Sequence, residues 1–384
     1  VKADERIKAQ NWFLLAAKQR GVQQFLGFFN SPPVQLTING KAYATAGKCN
    51  IDSINYHAFA KYAVDAIQSV QRSTGIEFNY ISPVNEPQWD WSDNKQEGCP
   101  YNNKQVTDIV KSFNLEFAKN NITSKILIAE AGQLNYLLTD GNKPGKGNQV
   151  HEFFNSLSSN YVGNLGSVSN IIASHSYFTT SPFGKAMALR LAAKDSIAQI
   201  KDLESWQTEY CILGDNDGEI DGNKKEIGMN AALYTAKVIY EDLVAAGVSA
   251  WQWWLAISPY DYKDGLVYID KSKTGGNYYD SKILWAFGNY SRFIRPGMMR
   301  IYVEAISKDL LVSGYKDIGK GTVALIFVNA SSKETPVSLD NVKQVANKKV
   351  ITYTTSATKN LEKNIAVFNN LVVPAKSVVT IIID

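Results

Sequence analysis

Apolar residues recur at helical spacing over residues 4–19, and Arg20-Gly21 closes that run as a helix stop. A short apolar run over 24–29 follows and ends in Asn30-Ser31-Pro32-Pro33, the pattern of a buried strand entering a loop. The rhythm then repeats. A helix over 54–73 precedes a strand over 77–82, a helix over 104–120 a strand over 125–130, and a helix over 148–158 a strand over 170–177. A helix over 185–197 leads to a strand over 203–210, a helix over 225–246 to a strand over 248–256, and a helix near 280–293 closes the series. Near-continuous apolar strands separated by helices predict a parallel α/β sheet, either doubly wound or closed as a barrel.

The carboxyl ends of the strands decide between the two. Asn85 and Glu86 lie just past one strand, Glu130 ends a second, His175 and Tyr177 a third, Glu209 and Tyr210 a fourth, and Trp253 and Trp254 sit near a fifth. Reactive residue types at nearly every strand end predict the active-site face of a (β/α)8 TIM barrel. No GxGxxG or GxxxxGK(S/T) follows any strand, which argues against nucleotide binding. From Met298 onward the pattern changes to short alternating strands over 310–315, 322–328, 349–354 and 378–383, punctuated by Gly319, Gly321, Asn341 and Asn369. A C-terminal β-sandwich is expected there. Arg295-Pro296-Gly297 marks the boundary, giving a barrel domain over 1–296 and a side domain over 297–384.

Composition narrows the function. With 45% apolar and 20% charged residues the chain is globular in type, and Lys+Arg 40 against Asp+Glu 36 is too balanced for binding driven by phosphate or anionic lipid. Nucleic acid is therefore not an expected partner. The longest apolar runs, such as 248–257 with Gln252 inside it, fall well short of the roughly 20 residues that cross a bilayer, so no membrane span is expected. Cys49, Cys99 and Cys211 are odd in number, widely spaced and without a CxxC. That pattern argues against a zinc site and a disulfide scaffold. Buried free thiols are the expectation, with a Cys49–Cys99 bridge between loops as the alternative. The sequence starts at Val1 with neither an initiator Met nor a leader, so a signal peptide, if there is one, has been removed or lies outside it, and this end does not give the localisation. Aromatic residues are abundant, 8 Trp, 20 Tyr and 16 Phe, and several Trp lie close to Asp or Glu. Carbohydrate sites combine these types, because a pyranose has an apolar C–H face and a polar rim.

Two carboxylates carry the candidate chemistry. Glu86 sits in Ile81-Ser82-Pro83-Val84-Asn85-Glu86-Pro87, followed by the aromatic loop Gln88-Trp89-Asp90-Trp91. Glu209 sits in Trp206-Gln207-Thr208-Glu209-Tyr210, again at a strand end. Opening a glycosidic bond needs two carboxyl groups flanking it, one protonated to release the leaving oxygen and one ionised to meet the oxocarbenium-like carbon. Asn85 would hydrogen-bond the neighbouring sugar hydroxyl. By strand alternation Tyr177 and His175 share a face and would orient Glu209. Trp254 or Trp253 offers a platform for the sugar ring, Trp89 and Trp91 line a neighbouring subsite, and Tyr210 and Phe29 are further candidate sugar contacts. Glu130 is read as a structural or substrate hydrogen-bond partner rather than a third catalytic carboxylate, and His175 as an orienting or core histidine rather than a metal ligand. The acidic run over 215–221 lacks the closing Glu of an EF-hand, so a solvated loop is expected rather than a calcium site. No metal or cofactor is implied.

On these residues the chain resembles glycoside hydrolase family 30, in the clan of retaining (β/α)8-barrel glycosidases. Asn85-Glu86-Pro87 looks like the acid/base motif after the fourth barrel strand, Glu209 like the nucleophile on the seventh, and 251–254 like the eighth. Ser31-Pro32-Pro33 resembles the turn after the third strand and His175-Ser176-Tyr177 the sixth, while Gln35 stands where the family often has Trp. Within the family, the run from Ser82 to Trp91 most resembles the endo-β-1,6-galactanase branch. The resemblance favours Trp254 as platform. It implies double displacement on a β-1,6-linked galactan, with a β-1,6-glucan, a glucuronoxylan or a glycosyl ceramide as the alternative substrates. A carbohydrate-binding protein that no longer turns over is the alternative class. It also implies a monomer that is secreted, periplasmic or at the cell surface. Two further strand–helix units, roughly 60 to 120 residues at typical unit size, are expected to lie ahead of this sequence.

Overall fold

The computed structural model describes residues 5–305, 307, 309–338, 349–367 and 371–383. Two compact units divide it, one comprising 1–176 with 191–208 and the other 177–190 with 209–384. Asn341 and Asn369 lie outside the described residues.

The first unit opens with helix α1 (Glu5–Gln19) and strand β1 (Leu26–Phe28), then alternates α2 (Tyr56–Thr74), β2 (Tyr80–Ser82), α3 (Asn103–Lys119), β3 (Lys125–Ala131), α4 (Gln149–Phe154) and β4 (Val168–His175). After α5 (Phe183–Ala198) comes β5 (Glu204–Glu209), and β6 (Ala250–Trp251) follows α6 (Met229–Tyr240). Within the first unit the sheet order is β1-β2-β3-β4-β5, with parallel pairing wherever register is defined, while α6 and β6 belong to the second unit. This is the α/β architecture expected from the alternating pattern.

Local sequence explains the strongest elements. Helix α2 buries Tyr56, Phe59, Ala60, Ala63, Val64 and Ile67, one helical stripe, and stops at Gly75, whose φ of 64° suits a residue without Cβ. Helix α3 starts on a capping box in which Asn102 and Gln105 exchange side-chain and backbone hydrogen bonds, and buries Val106, Ile109, Val110, Phe113 and Phe117. Strands β3 and β4 are buried on both faces over most of their length, as parallel strands under helices must be.

Four expectations change. The 24–29 run is only Leu26–Phe28 and partly exposed, and among the described residues β1 pairs with β2 alone. The helix expected over 148–158 ends at Phe154, where Asn155 turns extended and its side chain accepts from Leu157 N–H. The helix expected over 225–246 is α-helical only to Tyr240, and Glu241–Ala246 forms a π-helical turn. The strand expected over 248–256 shrinks to Ala250–Trp251, because the following backbone bonds elsewhere. Trp254 N–H donates to Tyr210 O, and Leu255 and Ala256 exchange bonds with Asp264, Leu266 and Val267. They begin a small sheet of β7 (Ile257–Ser258), β8 (Val267–Ile269) and β9 (Tyr278–Asp280).

In the second unit, α7 (Lys282–Ser291) leads to eight strands. Six form an antiparallel sheet: β10 (Met299–Ile301), β11 (Leu310–Lys316), β12 (Val323–Asn329), β17 (Ser377–Ile383), β14 (Lys349–Thr355) and β15 (Glu362–Val367), in that order. The other two, β13 (Thr335–Val337) and β16 (Leu371–Val373), pair with each other. Leu310, Val312, Leu325, Phe327, Val379 and Ile381 face β16 residues Leu371 and Val373 in one core. Ala324, Ile326, Val328 and Val378, the alternate positions, pack against α6 and α7 in the other. The sheet is thus covered by strands on one face and helices on the other. Asn289 of α7 ties into it, donating to Tyr353 O and Thr380 Oγ1 and accepting from Thr355 Oγ1 at 2.7 Å.

Candidate active site

The first unit gathers a buried polar cluster at the carboxyl ends of its parallel strands. Glu86 follows β2 and is 6% exposed, Glu130 lies in β3, and His175 ends β4. His175 Nδ1 lies 2.9 Å from Glu86 Oε1 and its Nε2 lies 3.3 Å from Glu130 Oε2. Ser82 Oγ donates to Glu130 Oε1 at 2.5 Å, and Thr208 Oγ1 donates to Glu130 Oε2. Glu130 thus takes three buried polar contacts, two of them from hydroxyls. On its other side the His175 ring makes a hydrogen bond with Glu86 through Nδ1.

The backbone around Glu86 is held as firmly as its side chain. Glu86 has a φ of 44° and Glu130 a φ of 50°, left-handed conformations that cost a non-glycine residue roughly 1–2 kcal/mol. Glu86 N–H donates to Glu130 O at 2.9 Å, and the indole N–H of Trp91 donates to Glu86 O at 3.0 Å. Trp91 thus braces the glutamate backbone. Trp89 is half-buried, with Lys143 Nζ 5.7 Å from its ring and Tyr136 edge-on to it. Gly132 makes room for it, since a Cβ there would stand 2.5 Å from Trp89 Nε1 and 3.3 Å from Glu86 Oε1. Asn85 is buried, and its amide donates to Asn30 Oδ1 at 3.3 Å. Phe29 is half-buried, and its ring packs edge-on against Phe59 of α2 and Phe113 of α3.

In the second unit Tyr177 OH donates to Glu209 Oε1 at 3.0 Å, the contact expected for a tyrosine that keeps a carboxylate ionised and oriented. Its hydroxyl also lies 3.8 Å from Cys211 Sγ. Tyr210, read from the sequence as a sugar contact, is 1% exposed and walled in by Tyr177, Trp251 and Trp253, so it belongs to the core. Trp251 and Trp253 stack at 6.2 Å, and their indole N–H groups donate to Asp242 Oδ2 and Asp264 O. Trp254 is half-buried in the same segment. In the acidic loop, Asp215, Asp217 and Asp221 are exposed.

The sequence reading had His175 orienting Glu209; the structure sets its ring against Glu86 and Glu130, and the anchoring by Glu130, Ser82 and Thr208 was not read from the sequence. A signal was present in the register of strand-end polar residues at 82, 130 and 208, each just inside a strand terminus. The bracing role of Trp91 carried no such signal, because a left-handed turn at Trp91 (φ 47°) places its indole.

Comparison with known proteins bears on the family and the fold. A conserved exported protein from Bacteroides fragilis is 29% identical, with a TM-score of 0.87 over 98% of this chain and 79% of that one. The catalytic domain of xylanase C of family 30 from Talaromyces cellulolyticus superposes with a TM-score of 0.72 at 20% identity, over 100% of this chain and 81% of that one. An endo-β-1,6-glucanase superposes with a TM-score of 0.62 at 17% identity, over 96% and 74%. The family model described as O-glycosyl hydrolase family 30 matches residues 3–268, more than half of the chain, and with that match the chain belongs to glycoside hydrolase family 30.

Proposed function

We propose that the protein is a retaining β-glycosidase in which Glu209 is the nucleophile and Glu86 the acid/base. The observation that carries the reading is the difference between their partners: Glu209 accepts from the Tyr177 hydroxyl, whereas Glu86 is hydrogen-bonded to the ring of His175, a side chain type able to give or take a proton. A nucleophile must stay ionised, and an acid/base must gain and lose a proton in each cycle. In the first step Glu209 attacks the anomeric carbon and forms a glycosyl ester while Glu86 gives its proton to the leaving oxygen. In the second, Glu86 takes a proton from water, which opens the ester with net retention. This reading requires the two carboxyl groups to face each other about 5 Å apart. Asn85 would hold the hydroxyl next to the reacting carbon, and Trp89, Trp91 and Trp254 would carry sugar faces.

The substrate is proposed to be a β-1,6-linked galactan, a reading supported by the run from Ser82 to Trp91. The likeness to an endo-β-1,6-glucanase supports β-1,6-glucan as the second reading. Residues 1–296 would act as the catalytic domain and 297–384 as its side domain. An exported location is supported by the description of the Bacteroides fragilis protein.

Product analysis on β-1,6-galactan, β-1,6-glucan and glucuronoxylan, with Glu209→Gln alongside, tests these assignments. Galacto-oligosaccharides from the unaltered protein alone, with the β-anomer formed first by NMR, are the expected result. An α-anomeric first product would overturn retention, and glucan cleavage without galactan cleavage would replace the substrate. Sugar binding without turnover on all three would favour a non-catalytic binding protein.

A further inference from the structure

In the first unit the loop over 39–51 is laced to the loop that follows Glu86. Ala44 N–H donates to Trp91 O at 2.8 Å, Gly98 N–H to Ala42 O at 2.9 Å, and Gly47 N–H to Ser92 Oγ at 2.7 Å. Two cysteines meet at the same seam. Asn50 N–H, one residue past Cys49, donates to Cys99 Sγ at 3.2 Å, which sets the Cys99 sulfur beside the Cys49 backbone. We propose that Cys49 and Cys99 are a redox pair that closes into a disulfide across this seam and locks the 39–51 loop to the loop bearing Trp89 and Trp91.

The two thiols differ in the way such a pair requires. Cys49 is half-buried, and the Cys99 thiol, helped by the bond to Ile51 and by the Lys146 charge, holds its thiol below the ordinary range. Cys99 is fully buried, and burial pushes its thiol up. Cys49 is therefore the attacking thiolate and Cys99 the resolving thiol. The oxidant is a disulfide-bearing molecule, either a small disulfide or a thiol–disulfide oxidoreductase. Cys49 thiolate attacks one of its sulfurs, forming a mixed disulfide and expelling the other sulfur as a thiolate. Cys99 then loses its proton and attacks Cys49 Sγ, which releases the second thiolate. The pair loses two electrons and two protons, and the oxidant leaves as two thiols. Bridging these loops restricts the unfolded chain over the whole intervening segment, so oxidation stabilises the protein.

The test is thiol titration under denaturing conditions, with peptide mapping, after equilibration of the unaltered protein with glutathione disulfide. The expected count falls from the 3 cysteines of the sequence to one, with the Cys49 and Cys99 peptides linked and Cys211 free. Three titrating thiols, or a bridge that includes Cys211, would overturn the pairing. Cys49→Ser should show two thiols with or without oxidant, whereas a loss of both thiols in that variant would also refute it. Reduction of the bridged protein should lower its melting temperature by several degrees and raise KM on oligosaccharide severalfold with kcat unchanged. Unchanged melting and KM would remove the locking role. The KM readout rests on the proposed glycosidase reading; the thiol count does not, so the two fail separately.

Discussion

At the scale of single residues, the site is organised around an anchor that takes no part in the proposed chemistry. Glu130 accepts from Ser82 and Thr208 and faces His175, which in turn faces Glu86. Replacing it with Leu strands three buried polar groups, and each unpaired group costs roughly 1–3 kcal/mol. Urea unfolding of Glu130→Leu should therefore show a loss of that order, together with lower activity because His175 is no longer aimed. Glu86→Gln keeps the shape but cannot release a proton, and kcat should fall by on the order of 10² to 10⁴. Activated leaving groups, which need no proton, should recover much of the first step. Gly132→Ala puts a Cβ 2.5 Å from Trp89 Nε1, so the indole must shift. A changed tryptophan emission spectrum with an altered KM is the expected signature. Of these residues Glu86 and His175 were legible from strand-end position alone. Trp91 as a brace was not, because its indole reaches Glu86 O only through a left-handed turn.

At the scale of elements, legibility follows the strength of local signals. Helix α3 announces itself through Asn102 and Gln105 ahead of a 3.6-period apolar stripe, and the structure places its start within a residue of the expected position. Asn102→Ala should lower stability by about 1 kcal/mol in a denaturant titration, since it removes the acceptor for Gln105 N–H. Helix α2 depends on Gly75 in the same way, and a β-branched residue at φ 64° would shorten it. Strand β6 shows the opposite case. Its apolar run promises a long strand, but the bonds from Trp254, Leu255 and Ala256 are taken by Tyr210, Asp264, Leu266 and Val267. Those acceptors and donors are set by tertiary packing, which the strand's own residues do not encode.

At the scale of the whole molecule, a buried charge cluster in the second unit makes stability depend on pH. Arg190, fully buried, donates to Asp242 Oδ1 at 2.8 Å and lies 3.7 Å from Glu241 Oε2. Neither Glu241 oxygen makes a hydrogen bond among the described residues, and burial pushes its carboxyl up to about 8 against the partly offsetting charges of Arg190 and Lys237. Between the ordinary value of 4.5 and about 8 the unfolded chain has released this proton and the folded chain still holds it. Stability from this group is therefore greatest at acid pH, falls as pH rises across that window, and levels off above it. Melting temperatures measured from pH 5 to 9 should fall less steeply for Glu241→Gln than for the unaltered protein. Parallel profiles would contradict the assignment.

The sequence by itself determined the order of strands and helices, the change to alternating strands after the barrel, and the placing of Glu86, Glu130, His175 and Glu209 at strand ends. These follow from periodicities and breakers that act over a few residues, where backbone sterics and local burial dominate. The tertiary structure decided which strand-end groups meet, that Tyr210 packs into a core, where β6 stops, and that Asn50 N–H meets Cys99 Sγ. Such pairings depend on the register of segments that are distant in the chain, and register is set by packing over the whole fold rather than by any one segment.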